Sequence, residues 1–249
     1  MILRRHSDLS YIAVVPRYST LTRLAAIAED QWGLVTRRQA EDSGVSRATL
    51  TRLIGDGVLD RVARGVYRLT GVPPTDHLDL RAAWLQLAPE VPAWERSAEQ
   101  GVVSHRSAAA LYGLGDLPAD RHEFTLPGRK QSRRADVRLH VGKLTDAEWI
   151  VLRGLPVTRP SRIAADLLAE REDPESVGRL VSDAIRGVFD YPRTFAEKLA
   201  PMAVQFGLRR GNGLAALRWL LELGGDRQAQ EWLAEARESL SRAPEGRES

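Results

Sequence analysis

Apolar residues recur along the first seventy positions at a helical period and then at a strand period. Leu21, Leu24, Ala25 and Ala28 share one helical face behind Ser19 or Thr20, either of which can cap. The spacing predicts a helix to about Asp30, ended by Trp32-Gly33. Thr36 caps a second, short helix to about Asp42, and Ser43-Gly44 turns the chain. Ser46 caps a third helix to Ile54 with Leu50, Leu53 and Ile54 inward, and Gly55-Asp56-Gly57 stops it. Leu59–Val62 and Val66–Leu69 read as two strands around Ala63-Arg64-Gly65, a short hairpin with glycine where positive φ is needed. Gly71-Val72-Pro73-Pro74 predicts a boundary between domains at 1–73 and 74–249.

Beyond it the pattern predicts a helix from Asp79 to Leu87, a loop from Pro89 to Gln100, and a helix capped by Ser104 that runs through Tyr112. Strands follow at Glu123–Leu126 and Val137–Val141, on either side of a basic loop, with a third at Leu155–Thr158. From Pro160 the pattern is helical. Asp173-Pro174 sets a cap and a proline at one helix start, and further helices cover Pro192–Phe206, Gly213–Leu223 and Arg227–Leu240. Trp219, Leu220 and Leu223 read as core, and Trp232 and Leu233 as core or a partner-facing stripe. The tail from Ala243 reads as frayed. The fold class is α+β: a winged helix-turn-helix, then a mixed α/β domain that ends in a helical subdomain.

The segment from Thr36 to Ile54 carries the most specific pattern. Two helices that cross steeply over a short turn need a small residue where they meet, and Ala40 supplies it. The turn needs a residue tolerant of positive φ, here Gly44. Val45, Leu50 and Leu53 anchor the second helix from below. That anchoring leaves Ser46, Arg47, Ala48, Thr51 and Arg52 outward, near the helix N-terminus, where a recognition helix meets base edges. Arginine forks onto guanine, and threonine or alanine meets a thymine methyl. Arg37 and Arg38 precede this helix, and Arg61, Arg64 and Arg68 of the wing suit phosphate or the minor groove. The competing reading is a winged helix used for protein contacts, with solvated arginines.

Charge distribution agrees with the DNA reading. Residues 1–70 hold 11 basic against 7 acidic residues, residues 71–143 hold 10 against 9, and residues 144–249 hold 15 against 17. The positive excess lies where phosphate would be met. Arginine outnumbers lysine 33 to 3, which suits bidentate recognition, although GC-rich coding explains most of that ratio. A second basic patch, Arg129, Lys130, Arg133 and Arg134, reads as a solvated loop or as a surface for DNA or an acidic partner.

With 43% apolar and 28% charged residues, the chain reads as an ordinary globular protein. No apolar run nears the roughly 20 residues of a membrane span, and the apolar piece within Met1–Arg17 is too short for a signal-peptide core. The absence of cysteine excludes thiolate catalysis and Cys-based zinc sites. The expectation is a cytoplasmic protein without a cofactor. The five histidines show no metal-ligand spacing, although His122 and His140 would approach if their strands paired. Ser104, His105 and Asp116 lack a nucleophile elbow.

Residues 33–69, GLVTRRQAEDSGVSRATLTRLIGDGVLDRVARGVYRL, resemble the N-terminal domain of AbiEi-type antitoxins, including the wing ending Arg64-Gly65-Val66-Tyr67. The resemblance continues in VVSHRSAAALYGLGDLP (102–118), HEFTLPGRK (122–130), VRLHVGKL (137–144) and GLPVTRPSRIAADLL (154–168). It implies an antitoxin that represses its own operon through the N-terminal domain and counteracts a nucleotidyltransferase-type toxin through the C-terminal one. The implied partners are operator DNA and that toxin, with a homodimer on DNA left open, no membrane and no enzyme activity. A related architecture carries a restriction-like nuclease, but Glu197 and Lys198 are adjacent rather than spaced and lie in a helical pattern. The alternatives are a winged-helix-guided nuclease and a stand-alone transcriptional regulator.

Overall fold

The computed structural model describes residues 15–242, with side chains from Thr20 onward. The expected frayed tail and most of Met1–Arg17 lie outside the described residues. Two compact units form, one up to Gln100 and one from Gly101. The glycine-proline stretch at 71–74 therefore falls inside the first unit.

The first unit begins with α1 (Val15–Glu29), ahead of the cap expected at Ser19 or Thr20. Leu24 and Ala28 are buried, but Ala25 is exposed, and Ile27 packs in its place beside Leu21. Then come β1 (Leu34–Thr36), α2 (Arg37–Asp42), α3 (Arg47–Gly55), β2 (Leu59–Ala63) and β3 (Val66–Leu69). The hairpin is joined by β1, which the pattern did not reveal, in a three-stranded antiparallel sheet of order β1-β3-β2. Leu24, Val35, Ala40, Val45, Leu50, Leu53, Leu59 and Tyr67 make one core. Truncating a leucine in such a core to alanine costs about 2–5 kcal/mol.

Helix α4 (Leu78–Leu85) and two single 3-10 turns, Ala93–Glu95 and Ala98–Gln100, complete this unit. Trp32 meets Trp84 edge-on at 6.1 Å, and the Arg81 guanidinium lies 4.3 Å over the Trp32 ring. Arg96 donates to the carbonyls of Trp84, Leu85, Ala88 and Val91, closing the end of α4. With no carboxylate among those acceptors, burial brings its pKa down to about 10, against a smaller opposing pull from Glu90.

In the second unit β4 (Val102–Val103), β5 (His122–Leu126), β6 (Val137–Val141), β7 (Trp149–Leu152) and β8 (Leu155–Thr158) form a mixed sheet of order β6-β5-β4-β8-β7. Helix α5 (His105–Tyr112) follows β4. Five more come after the sheet: α6 (Pro160–Ala169), α7 (Pro174–Arg186), α8 (Pro192–Leu199), α9 (Gly213–Leu223) and α10 (Ala229–Ser241). Asp173 caps α7 through the Ser176 amide, as its sequence predicts. The helix expected from Pro192 to Phe206 instead passes into 3-10 turns at Ala200, because Pro201 lacks an N–H to continue it. Leu220 and Leu233 are core, but Leu223 is exposed, and Trp219 is half-buried, stacked on Phe206. Among the described residues no helix is long and apolar enough to cross a membrane.

Candidate nucleic-acid interface

Helices α2 and α3 make the expected helix-turn-helix. The Thr36 hydroxyl accepts from the Gln39 amide, and the Gln39 side chain accepts from the Thr36 amide, which completes a capping box. Gly44 has φ +82°, and the Val45 amide donates to the Ala40 carbonyl at 2.8 Å, closing the turn. Ser46 caps α3 by accepting from the Thr49 amide at 3.1 Å. Its hydroxyl is thus occupied, although the residue is exposed.

Arg47, Ala48, Thr51 and Arg52 are all exposed on α3, opposite the buried Leu50 and Leu53. Thr51 donates its hydroxyl to the Arg47 carbonyl at 3.0 Å. That bond satisfies the hydroxyl within the helix and leaves the methyl for an apolar contact. Among the described residues neither Arg47 nor Arg52 has an ion-pair partner, whereas Arg37 lies 3.5 Å from Glu41 and Arg38 lies 3.4 Å from Asp42. Those two pairs are exposed i,i+4 contacts, worth a few tenths of a kcal/mol, so phosphate can displace them.

The wing separates its three arginines. Arg61 and Arg64 are exposed and, among the described residues, unpaired in charge. The Arg64 carbonyl accepts from Gln86 at 2.7 Å, and Gly65, at φ +74°, accepts the Arg37 amide at 2.8 Å. The hairpin tip is therefore tied to the ends of both α2 and α4. Arg68 differs: its guanidinium bonds Asp60, directly opposite in the register, at 2.9 Å and is largely buried.

In the second unit the basic loop exposes Arg129, Lys130 and Arg133, while Arg134 pairs with Asp136. Strands β5 and β6 pair in parallel, with His122 opposite Val137 and Thr125 opposite His140, so the two histidines are not brought together. His122 approaches Asp136, and His140 joins a group the sequence did not reveal. There the rings of His105 and His140 stack at 3.6 Å with 12° between planes. Glu123 lies 3.4 Å from His140 Nε2, Glu170 lies 3.2 Å from His140 Nδ1, and Arg138 bonds Glu170 at 2.9 Å.

Ser104 stands at the start of α5, but its hydroxyl meets His105 Nδ1 and makes no cap. The Glu123 carboxylate caps instead, accepting the Arg106 amide at 2.9 Å. Burial pushes the His105 pKa down to about 3, helped by its neighbour His140. Burial also pushes the Glu123 carboxyl up, but His140 and the Arg106 amide outweigh it and hold it below the usual carboxylate range. Beside this group a cavity of about 210 Å³ is lined by Arg106, Arg121, Arg138, Asp120 and Glu123. Glu197 and Lys198 lie on α8, paired with Arg193 and Glu148 respectively.

Residues 22–70, which run from within α1 to the end of the wing, match a family model described as transcriptional regulator, AbiEi antitoxin. This is the family that the sequence of the same segment resembles. No curated protein matches the chain.

Proposed function

We propose, from residues 22–70 that match the AbiEi antitoxin regulators, that this chain reads operator DNA and represses its own operon in the cytoplasm. In the same reading it is the antitoxin of a pair whose toxin is of the nucleotidyltransferase class. The observation that carries the DNA role is the outer face of α3. It presents two guanidinium groups with no ion-pair partner among the described residues and a threonine methyl, and the tethered wing adds Arg61 and Arg64. Arg47, Thr51 and Arg52 read bases, with Ala48 beside them. Arg37, Arg38, Arg61 and Arg64 meet phosphate. Ser46 holds the helix start, and Arg68 braces the wing through Asp60.

Neutralisation is assigned to the second unit, from Gly101 onward. It has its own sheet and core, and its sequence continues the AbiEi resemblance. The test is co-expression of full-length protein, or of a fragment starting at Gly101, with the product of the neighbouring gene, beside a promoter-reporter assay. The fragment is expected to rescue growth and fail to repress. If full-length protein rescues and the folded fragment does not, the first unit takes part in neutralisation and this assignment is wrong.

A further inference from the structure

His105, His140 and Glu170 are distant in sequence and come from three elements: the start of α5, the edge strand β6 and the end of α6. Each offers one ligand atom, and these atoms all lie within 4.8 Å of one another. Glu170 Oε1 is 3.2 Å from His140 Nδ1 and 3.9 Å from His105 Nε2. A tetrahedral ion with bonds of about 2.0–2.1 Å holds its ligand atoms about 3.4 Å apart. We propose that His105, His140 and Glu170 form a binding site for a divalent transition-metal ion of the zinc class.

The ligands are prepared in ways that packing alone does not require. The His105 tautomer that donates Nδ1–H to Ser104 Oγ, at 3.0 Å, leaves Nε2 bare and facing Glu170. A partner on the non-ligating ring nitrogen is the usual support of a metal-binding imidazole. His105 is also held at φ +52°, a left-handed conformation that costs free energy at a residue with a side chain. Buried His140 Nε2 has Glu123 Oε1 beside it at 3.4 Å but makes no well-formed hydrogen bond.

The planes of the His105 and His140 rings lie 12° apart. Nearly parallel planes send the nitrogen lone pairs side by side, so binding turns one ring toward the other's ligand atom. His140, on an edge strand, is the ring that turns. Arg138, half exposed on the rim of the neighbouring cavity, releases Glu170 as the ion takes over its charge. Two imidazoles and one carboxylate select zinc, cobalt or nickel over magnesium and calcium, which prefer oxygen ligands throughout.

The test is titration of chelator-treated full-length protein with Co²⁺, followed by displacement with Zn²⁺. One equivalent should produce the absorption bands of a tetrahedral Co²⁺ centre, which Zn²⁺ abolishes and Mg²⁺ does not. Affinity should fall ~10-fold or more in His105→Ala and in Glu170→Gln, and stay unchanged in His122→Ala, whose ring lies by Asp136. Circular dichroism checks each fold. If His105→Ala does not fold, Glu170→Gln decides alone, because its carboxylate lies nearer the surface. Absence of tetrahedral bands in the wild-type protein, or undiminished affinity in Glu170→Gln, overturns the proposal.

Discussion

The amide of Arg37 donates to the carbonyl of Gly65 at 2.8 Å, so the first residue of α2 is pinned to the turn of the wing. Gly65 reaches this position at φ +74°, and a Cβ there would meet Arg37 Cβ at an ordinary 3.9 Å. The cost of a side chain at 65 is therefore conformational rather than steric. Gly65→Ala is expected to destabilise the first unit by about 1–2 kcal/mol. Urea unfolding of the full chain measures it, and an unchanged midpoint would show that the wing turn relaxes freely.

The wing arginines should separate by salt dependence. A side chain that neutralises one phosphate contributes about one to the slope of log K against log salt. Arg61→Ala and Arg64→Ala are each expected to lower the slope by that amount on promoter DNA. Arg68→Ala should keep the wild-type slope and lose stability instead, because Arg68 is engaged by Asp60. A reduced slope in Arg68→Ala would place its charge on DNA despite that bond.

Truncation should follow the compact units rather than the proline pair. Gln31 and Gln39 bond each other, Gln39 donates to the Val91 carbonyl, and Gln31 accepts the Ala93 amide. The Thr36 hydroxyl donates to Pro89, and Trp84 packs on Trp32. A fragment ending at Pro74 strips these partners from buried polar groups, each costing about 1–3 kcal/mol. Residues 1–100 should melt cooperatively and residues 1–74 should not. Cooperative melting of the shorter piece would show that α4 is dispensable.

The second unit should lose stability in mild acid. His105 titrates at about 3 in the fold against 6.5 as a free side chain. A base with a lowered folded pKa contributes stability that is present above pH 6.5 and lost as pH falls toward 3. The loss is at most about 1.4 kcal/mol per pH unit. Its neighbours His140, Glu123, Glu170, Arg138 and Arg162 remain in His105→Gln, which should flatten the slope between about pH 6.5 and pH 5, above the carboxylate range. Opening free energies from hydrogen exchange at β4 and β5 amides report it, and an equal slope in both proteins would count against a neutral, buried His105.

The helix-turn-helix was legible because its constraints are local. Ala40, Gly44, Val45, Leu50 and Leu53 each answer a requirement within a twenty-residue span, and Thr36 and Ser46 cap where their side chains suggest. Strand β1 was hidden because three residues carry too little period, and β4, with two, carries less. Arg68 looked like its neighbours in the wing until the register set it opposite Asp60. The His105–His140 group was out of reach for a similar reason. Only the parallel pairing of β5 with β6 lays Glu123 opposite Arg138, and only folding brings the ends of α5 and α6 to the same edge. Ser104 reads as a cap by type, yet the structure gives that task to Glu123, nineteen residues on.

The central claim is that the outer face of α3 reads sequence. The direct measurement is binding of full-length protein, Arg47→Ala and Arg52→Ala to the promoter of its own operon and to a scrambled duplex, at one fixed salt concentration. Wild-type protein should prefer the promoter. Each variant should lose about 1–3 kcal/mol on the promoter and less on the scrambled DNA, with specificity relaxed at one base position. If both variants discriminate as well as the wild type, α3 does not read the operator.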